Sequence, residues 1–180
     1  ITGFIKSDGF SEIRLKNIVA CMADALRHRG PDDAGTWADV PAGIALGHRR
    51  LAIVDLSAAG HQPMHSDSGR YVMVFNGEIY NHMVLRDELS AMDCRISLAM
   101  TEPGDGLTPG ARTDGGWRGH SDTETLLAGF EAWGIEATLK KAVGMFAVAL
   151  WDAQDKTLHL ARDRFGEKPL YYGWVGQGAD

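Results

Sequence analysis

Val143-Gly-Met-Phe-Ala-Val-Ala-Leu-Trp151, then Asp152-Ala-Gln-Asp-Lys156, then Thr157-Leu-His-Leu-Ala161 is the stretch that decides the fold class. A run rich in β-branched and aromatic residues, a polar turn and a second apolar run predict an antiparallel hairpin, with a further strand expected at Leu170 to Trp174. Upstream, Gly43 to Leu46, Leu51 to Val54 and Tyr71 to Phe75 are short apolar runs bounded by Gly, Asp, Ser and Asn, and they predict strands. Between them, Leu15, Ile18, Val19, Met22 and Leu26 recur at steps of three and four, which predicts an amphipathic helix over Glu12 to His28, stopped by Gly30-Pro31. A second helix is expected over Ile79 to Leu89. A third opens at Ser121-Asp-Thr-Glu, a capping box, and closes at Gly134. Antiparallel strands with helices between them predict an α+β domain.

The stretch from Cys94 to His120 has no period and little to bury, so an irregular, mobile surface insertion is expected there. The chain has 180 residues, enough for one domain with a real core. Its 18 basic and 24 acidic residues leave a net charge of −6 with no charged run, which argues against nucleic acid or an anionic membrane surface as partner. No stretch approaches the ~20 apolar residues of a membrane span. The two cysteines, Cys21 and Cys94, form neither a disulfide framework nor a C-x-x-C pair, so a reducing, cytoplasmic setting is expected. Cys21, between apolar residues of the first helix, is expected to be a small buried hydrophobe. The seven histidines show no metal-ligand spacing, and no nucleotide-binding loop is present.

Three places could carry chemistry. Asn76-Gly77 reads as a turn, or, if a helix follows at Glu78, as a strand end exposing a side-chain amide and a backbone N–H, the two donors of an oxyanion hole. Arg49 and Arg50 fall on opposite faces of a strand, so one of them points inward, either into a structural salt bridge or as a clamp on a substrate carboxylate. Glu78 and Asp122 stand at helix starts, where carboxylates are favoured by the dipole; converging, they would hold an ammonium group.

Arg27-His-Arg-Gly-Pro-Asp-Asp-Ala-Gly, Gly47-His-Arg-Arg-Leu-Ala-Ile-Val-Asp, Gly60-His-Gln-Pro-Met, Phe75-Asn-Gly-Glu-Ile-Tyr-Asn-His, Ser121-Asp-Thr-Glu, Gly144-Met-Phe-Ala-Val-Ala-Leu-Trp-Asp and Ala161-Arg-Asp-Arg-Phe-Gly-Glu-Lys-Pro-Leu-Tyr-Tyr, in this order, resemble the N-terminal glutaminase domain of glutamine-hydrolysing asparagine synthetases. The resemblance covers the chain apart from the Cys94 to His120 segment. It implies an N-terminal nucleophile hydrolase fold, a four-layer αββα sandwich with two antiparallel sheets. It also implies that Arg50 binds the glutamine α-carboxylate, that Glu78 and Asp122 hold the amino group, that the Asn76 side chain and Gly77 N–H form the oxyanion hole, and that the backbone of Ile53 and Val54 lines the pocket. The Arg29-Gly-Pro-Asp loop would lie near the nucleophile. Family members begin Cys-Gly-Ile, the cysteine supplying both the thiol and the α-amino base; aligned on Gly3-Phe-Ile5, that cysteine belongs two residues ahead of Ile1, and Thr2 does not replace it. With the position unfilled, a non-catalytic glutamine-binding module is the alternative. Family members continue into an ATP- and magnesium-dependent synthetase domain, absent from this sequence. The resemblance therefore implies glutamine as substrate, the synthetase domain as partner with a homodimer left open, and no cofactor in the glutaminase domain itself.

Overall fold

The computed structural model describes residues 1–6, 9–51, 60–100 and 117–174. The chain runs β1 (Thr2–Ile5), α1 (Glu12–Asp24), a 3-10 turn (Arg27–Arg29), β2 (Asp33–Asp39), β3 (Ile44–Arg50), β4 (Met64–His65), β5 (Tyr71–Ile79), α2 (His82–Met100), α3 (Asp122–Trp133), α4 (Ile135–Lys141), β6 (Gly144–Asp152) and β7 (Thr157–Arg162). The strands form two antiparallel sheets, one ordered β1-β3-β2 and the other β4-β5-β6-β7.

Strand alternation sorts the core into layers. On β3, Ala45 faces α1 and packs with Leu15 and Val19. Its neighbours Ile44 and Leu46 face the other way, against Val72 and Val74 of β5 and Ala149 and Trp151 of β6. The opposite faces of β5 and β6 then present Met73, Phe75, Ile79, Phe146, Val148 and Leu150 to Leu85 of α2 and Leu126, Leu127 and Phe130 of α3. The order helix, sheet, sheet, helices is the αββα sandwich expected from the resemblance. Covered on both faces, β5 and β6 read as continuous apolar runs. Each large side chain fully buried here contributes about 1.5–3 kcal/mol.

The hairpin falls where it was expected, with Asp152 accepting from the N–H groups of Gln154 and Asp155 to shape the turn. α3 also has the expected bounds: the Ser121 side chain accepts from Thr123 N–H, and Gly134 ends the helix at φ 83°, a value only glycine adopts cheaply. Its capping box is incomplete, because Glu124 turns outward from the helix and accepts from Arg118 N–H (2.7 Å) and Gly119 N–H (3.1 Å).

Other expectations need correction. α1 stops at Asp24 rather than His28, since the Leu26 N–H tightens onto Ala23 O and the chain continues as a 3-10 turn. Cys21 is exposed, because the buried stripe of α1 is Leu15, Val19 and Ala23. α2 starts at His82 and extends through Met100, so Cys94 and the residues after it are helical where an irregular insertion was expected; residues 101–116 of that stretch lie outside the described residues. Leu51 lies past the end of β3, and Ala52 to Val54 are outside the described residues. Leu170 to Trp174 forms no strand, and Tyr171, Tyr172 and Trp174 stand exposed. β1, β2, β4 and α4 have no counterpart among the expected elements.

Candidate active site

Arg50 is the last residue of β3 and shares its face with His48, toward the second sheet, whereas Arg49 turns to the helix side. There Arg49 Nε donates to Gly30 O (3.0 Å) and its guanidinium lies 3.6 Å from Asp24. Arg49 is therefore the structural arginine, and Arg50 the one directed between the sheets. Two glycines make room for it. A Cβ on Gly60 would lie 2.2 Å from an Arg50 guanidinium nitrogen, and one on Gly30 would lie 2.5–2.7 Å from the backbone of Arg49 and Arg50. Asp32 N–H donates to Arg50 O (3.0 Å), so the Arg29-Gly-Pro-Asp loop seats the end of β3.

Asn76 and Gly77 are not at a strand end. β5 continues through Ile79, with Asn76 opposite Ala147, Gly77 opposite Phe146 and Glu78 opposite Met145. The glycine does not serve a turn; a Cβ at Gly77 would sit 2.3 Å from Met145 O and 2.6 Å from Phe146 Cα, so close approach of β6 excludes any side chain. Side chains of Asn76 and Glu78 lie on the face that Val72 and Val74 present to the first sheet, and both are exposed.

Backbone groups alternate as well, so alternate residues of β5 bond to β6 and the others turn to the β4 side. Tyr71 C=O accepts from Ser66 N–H, Phe75 N–H donates to Gln62 Oε1 (2.6 Å), and Ile79 N–H donates to Asp122 Oδ2 (2.9 Å), which assigns the odd-numbered residues to that side. Gly77 N–H therefore points to the same edge, past the end of β4. Asp122, the first residue of α3, is thereby fixed one residue from Glu78; burial pushes its carboxyl above the usual range, against the hydrogen bonds from Ile79 and Thr123. The structure thus gathers Asn76, Gly77, Glu78 and Asp122 at one edge of β5. Arg50 stands on the first sheet, on the face turned to the second. Ile53 and Val54 lie outside the described residues.

Two residues without an expected role complete this edge. His48 Nε2 is 3.0 Å from Phe75 O, and the imidazole is 7% exposed. Burial holds its pKa down to about 4, helped by the positive charge of Arg50. Ile1 precedes the pair Thr2↔Gly47, so the chain enters beside His48. Gln62 is buried with both ends of its amide engaged. The Gly60-His-Gln-Pro-Met motif flagged its position but no role. Two clefts of about 570 and 410 Å³, near Arg70 and near Trp117, include none of these residues.

A sequence profile described as a glutamine amidotransferase domain matches residues 1–99 and 111–179. Over 160 residues the chain is 42% identical to a putative glutamine-hydrolyzing asparagine synthetase of Mycobacterium bovis, covering 85% of this chain and 21% of that protein. It is 38% identical to asparagine synthetase 1, glutamine-hydrolyzing, of Bacillus subtilis, over 87% of this chain and 21% of the relative, and 36% identical to amidase chyE of Penicillium rubens, over 83% and 18%. The chain spans about a fifth of the length of these relatives. With nearly every residue matched by the profile, this chain belongs to the glutamine amidotransferase domain family.

Proposed function

We propose that the domain hydrolyses the side-chain amide of glutamine to glutamate and ammonia, and that the ammonia serves an asparagine-synthetase-type amidation carried out by a part of the protein outside this chain. The observation that supports the reading is the edge of β5, where Asn76 and Gly77 follow one another beyond the end of β4, the Gly77 N–H turned to the edge and the Asn76 side chain exposed on the adjoining face. Two fixed donors aimed at one point stabilise the oxyanion of a tetrahedral intermediate, because they need no reorganisation as the charge develops.

In this reading the Arg50 guanidinium takes the α-carboxylate of glutamine as a fork, and Glu78 and Asp122 take its ammonium group. The nucleophile is the thiol of a Cys-Gly pair ahead of Ile1; two residues span at most ~7 Å, and Ile1 lies beside His48, which is bonded to the carbonyl just before Asn76. The thiolate attacks the amide carbon, the C–N bond breaks as ammonia leaves with a proton, and water cleaves the thioester to release glutamate.

The test is release of ammonia and glutamate by the full-length protein with Cys-Gly preceding Ile1, beside its Asn76→Ala variant. Loss of one oxyanion donor lowers kcat by ~10²–10³ with KM nearly unchanged. Equal rates in the two proteins would overturn the reading, and glutamine binding without ammonia release would leave a glutamine-binding module in its place.

A further inference from the structure

Past the end of β4, three residues of β5 present backbone groups to an edge where no strand pairs among the described residues: Phe75, Gly77 and Ile79. The first and the last are held by side chains. Ile79 N–H goes to Asp122, while Phe75 is gripped at both ends of its backbone, its N–H by Gln62 Oε1 (2.6 Å) and its C=O by His48 Nε2 (3.0 Å). Continuing the Met64↔Met73 register would set the Gln62 backbone opposite Phe75. Instead the backbone has moved off: its carbonyl lies against β2, where a Cβ on Gly35 would be 2.0 Å away, and the Gln62 side chain reaches back to take the place of a strand.

The chemistry fixes which way that amide points. Its oxygen must face the Phe75 N–H, since an NH2 group there would set donor against donor, and its Nε2 then donates to Thr123 Oγ1 (3.5 Å), whose hydroxyl in turn lies 3.4 Å from Asp122 Oδ1. One buried side chain therefore joins the backbone of Phe75, the residue before Asn76, to the helix start that carries Asp122.

We propose that Gln62 is a positioning residue for glutamine hydrolysis: it locks the backbone of Phe75, the residue before Asn76, so that the Asn76 amide and the Gly77 N–H are aimed at the same point. The assignment rests on the hydrolytic reading above. A donor set by a flexible edge loses its advantage, because a misplacement of about 1 Å costs ~10²-fold in rate.

The experiment compares Gln62→Met, which keeps the volume and removes the acceptor, with Gln62→Glu, which restores an acceptor oxygen, in the full-length protein carrying Cys-Gly ahead of Ile1. Steady-state glutaminase kinetics and amide hydrogen exchange at Phe75 and Gly77 are read in both. Gln62→Met is expected to lower kcat ~10–100-fold with KM within about two-fold of wild type, and to speed exchange at Phe75 by at least ~10-fold; Gln62→Glu recovers most of both. Unchanged exchange at Phe75 in Gln62→Met, an unchanged kcat, or a rise in KM with kcat intact would each overturn the proposal. A wild-type protein that releases no ammonia refutes the hydrolytic reading instead, and the exchange measurement then decides alone whether Gln62 holds this edge.

Discussion

Acidification tests the electrostatics of the inter-sheet space through one residue. His48 is buried between the sheets, and its imidazole titrates near 4 because burial disfavours the cation; Arg50 acts in the same direction, while the hydrogen bond to Phe75 O and Asp33 oppose it. An unfolded chain would take up the proton near 6.5. Since the folded-state value is the depressed one, the contribution of His48 to stability is fully present above about pH 6.5 and is lost as pH falls toward 4. With 2.5 units between the two values, linkage gives a loss of about 2 kcal/mol at pH 5 and about 3 kcal/mol at pH 4. Urea unfolding of the wild type and of His48→Gln, a variant that can still donate to Phe75 O, separates this term from the other titrating groups. The wild type should lose that much more stability than the variant between pH 7 and pH 4. A difference between them that stays constant within about 0.5 kcal/mol would show that the imidazole is protonated as readily in the fold as out of it, and the picture of a dry space beside Phe75 would fall.

Other substitutions probe the site from different sides. Gly77→Ala puts a methyl 2.3 Å from Met145 O, against backbone that cannot yield, and chemical denaturation should show a loss of about 2–3 kcal/mol; a neutral result would mean β6 is not held that close. Arg50→Lys keeps the charge but loses the fork, and KM for glutamine should rise ~10–100-fold with a smaller change in kcat; an unchanged KM would remove Arg50 from the substrate. Arg86→Leu removes one of the two guanidinium groups beside buried Glu124, Arg118 remaining 3.7 Å away, and frees Gly119 O and Ser121 O, so a loss of about 2–4 kcal/mol is expected in urea unfolding, chiefly from the orphaned carbonyls, and a loss under about 1 kcal/mol would refute the role of Arg86.

What the sequence discloses about this fold follows from how local each signal is. α3 was legible to the residue because Ser121 and Gly134 act on their own helix. The hairpin was legible because its turn is stabilised from within, by Asp152. β2 was not, since Asp33–Asp39 holds glycine and two aspartates and becomes a strand only by pairing along its full length with β3. Asn76-Gly77 misled for a related reason. Asn-Gly is a turn signal by its tolerance of positive φ, yet Gly77 is not among the positive-φ residues, and its lack of a side chain answers the approach of β6, a partner nearly seventy residues away. Arg50 against Arg49 was decided by the resemblance, and the structure gives the physical reason: Arg49 is engaged by Gly30 O and Asp24. The parts of Gln62 and His48 could not be read from spacing, because each bonds to backbone on a distant strand.

The shortness of β4 links the architecture to the proposed chemistry. A β4 continued to pair with all of β5 would close the ladder and engage the Gly77 N–H in the sheet, leaving nothing to receive an oxyanion. An edge simply left open would expose Phe75 and Ile79 as well, three donors in a row on a mobile strand. This chain does neither. β4 stops at Met64, and Gln62, His48 and Asp122 approach from a loop, from the other sheet and from a helix start to hold the flanking residues. The donor between them, the Gly77 N–H, lies on a strand held at both sides. Such a layout ties the site to packing between layers, so substitutions at Gln62 or His48 should change the aim of both donors, the Asn76 amide and the Gly77 N–H, with neither residue itself altered.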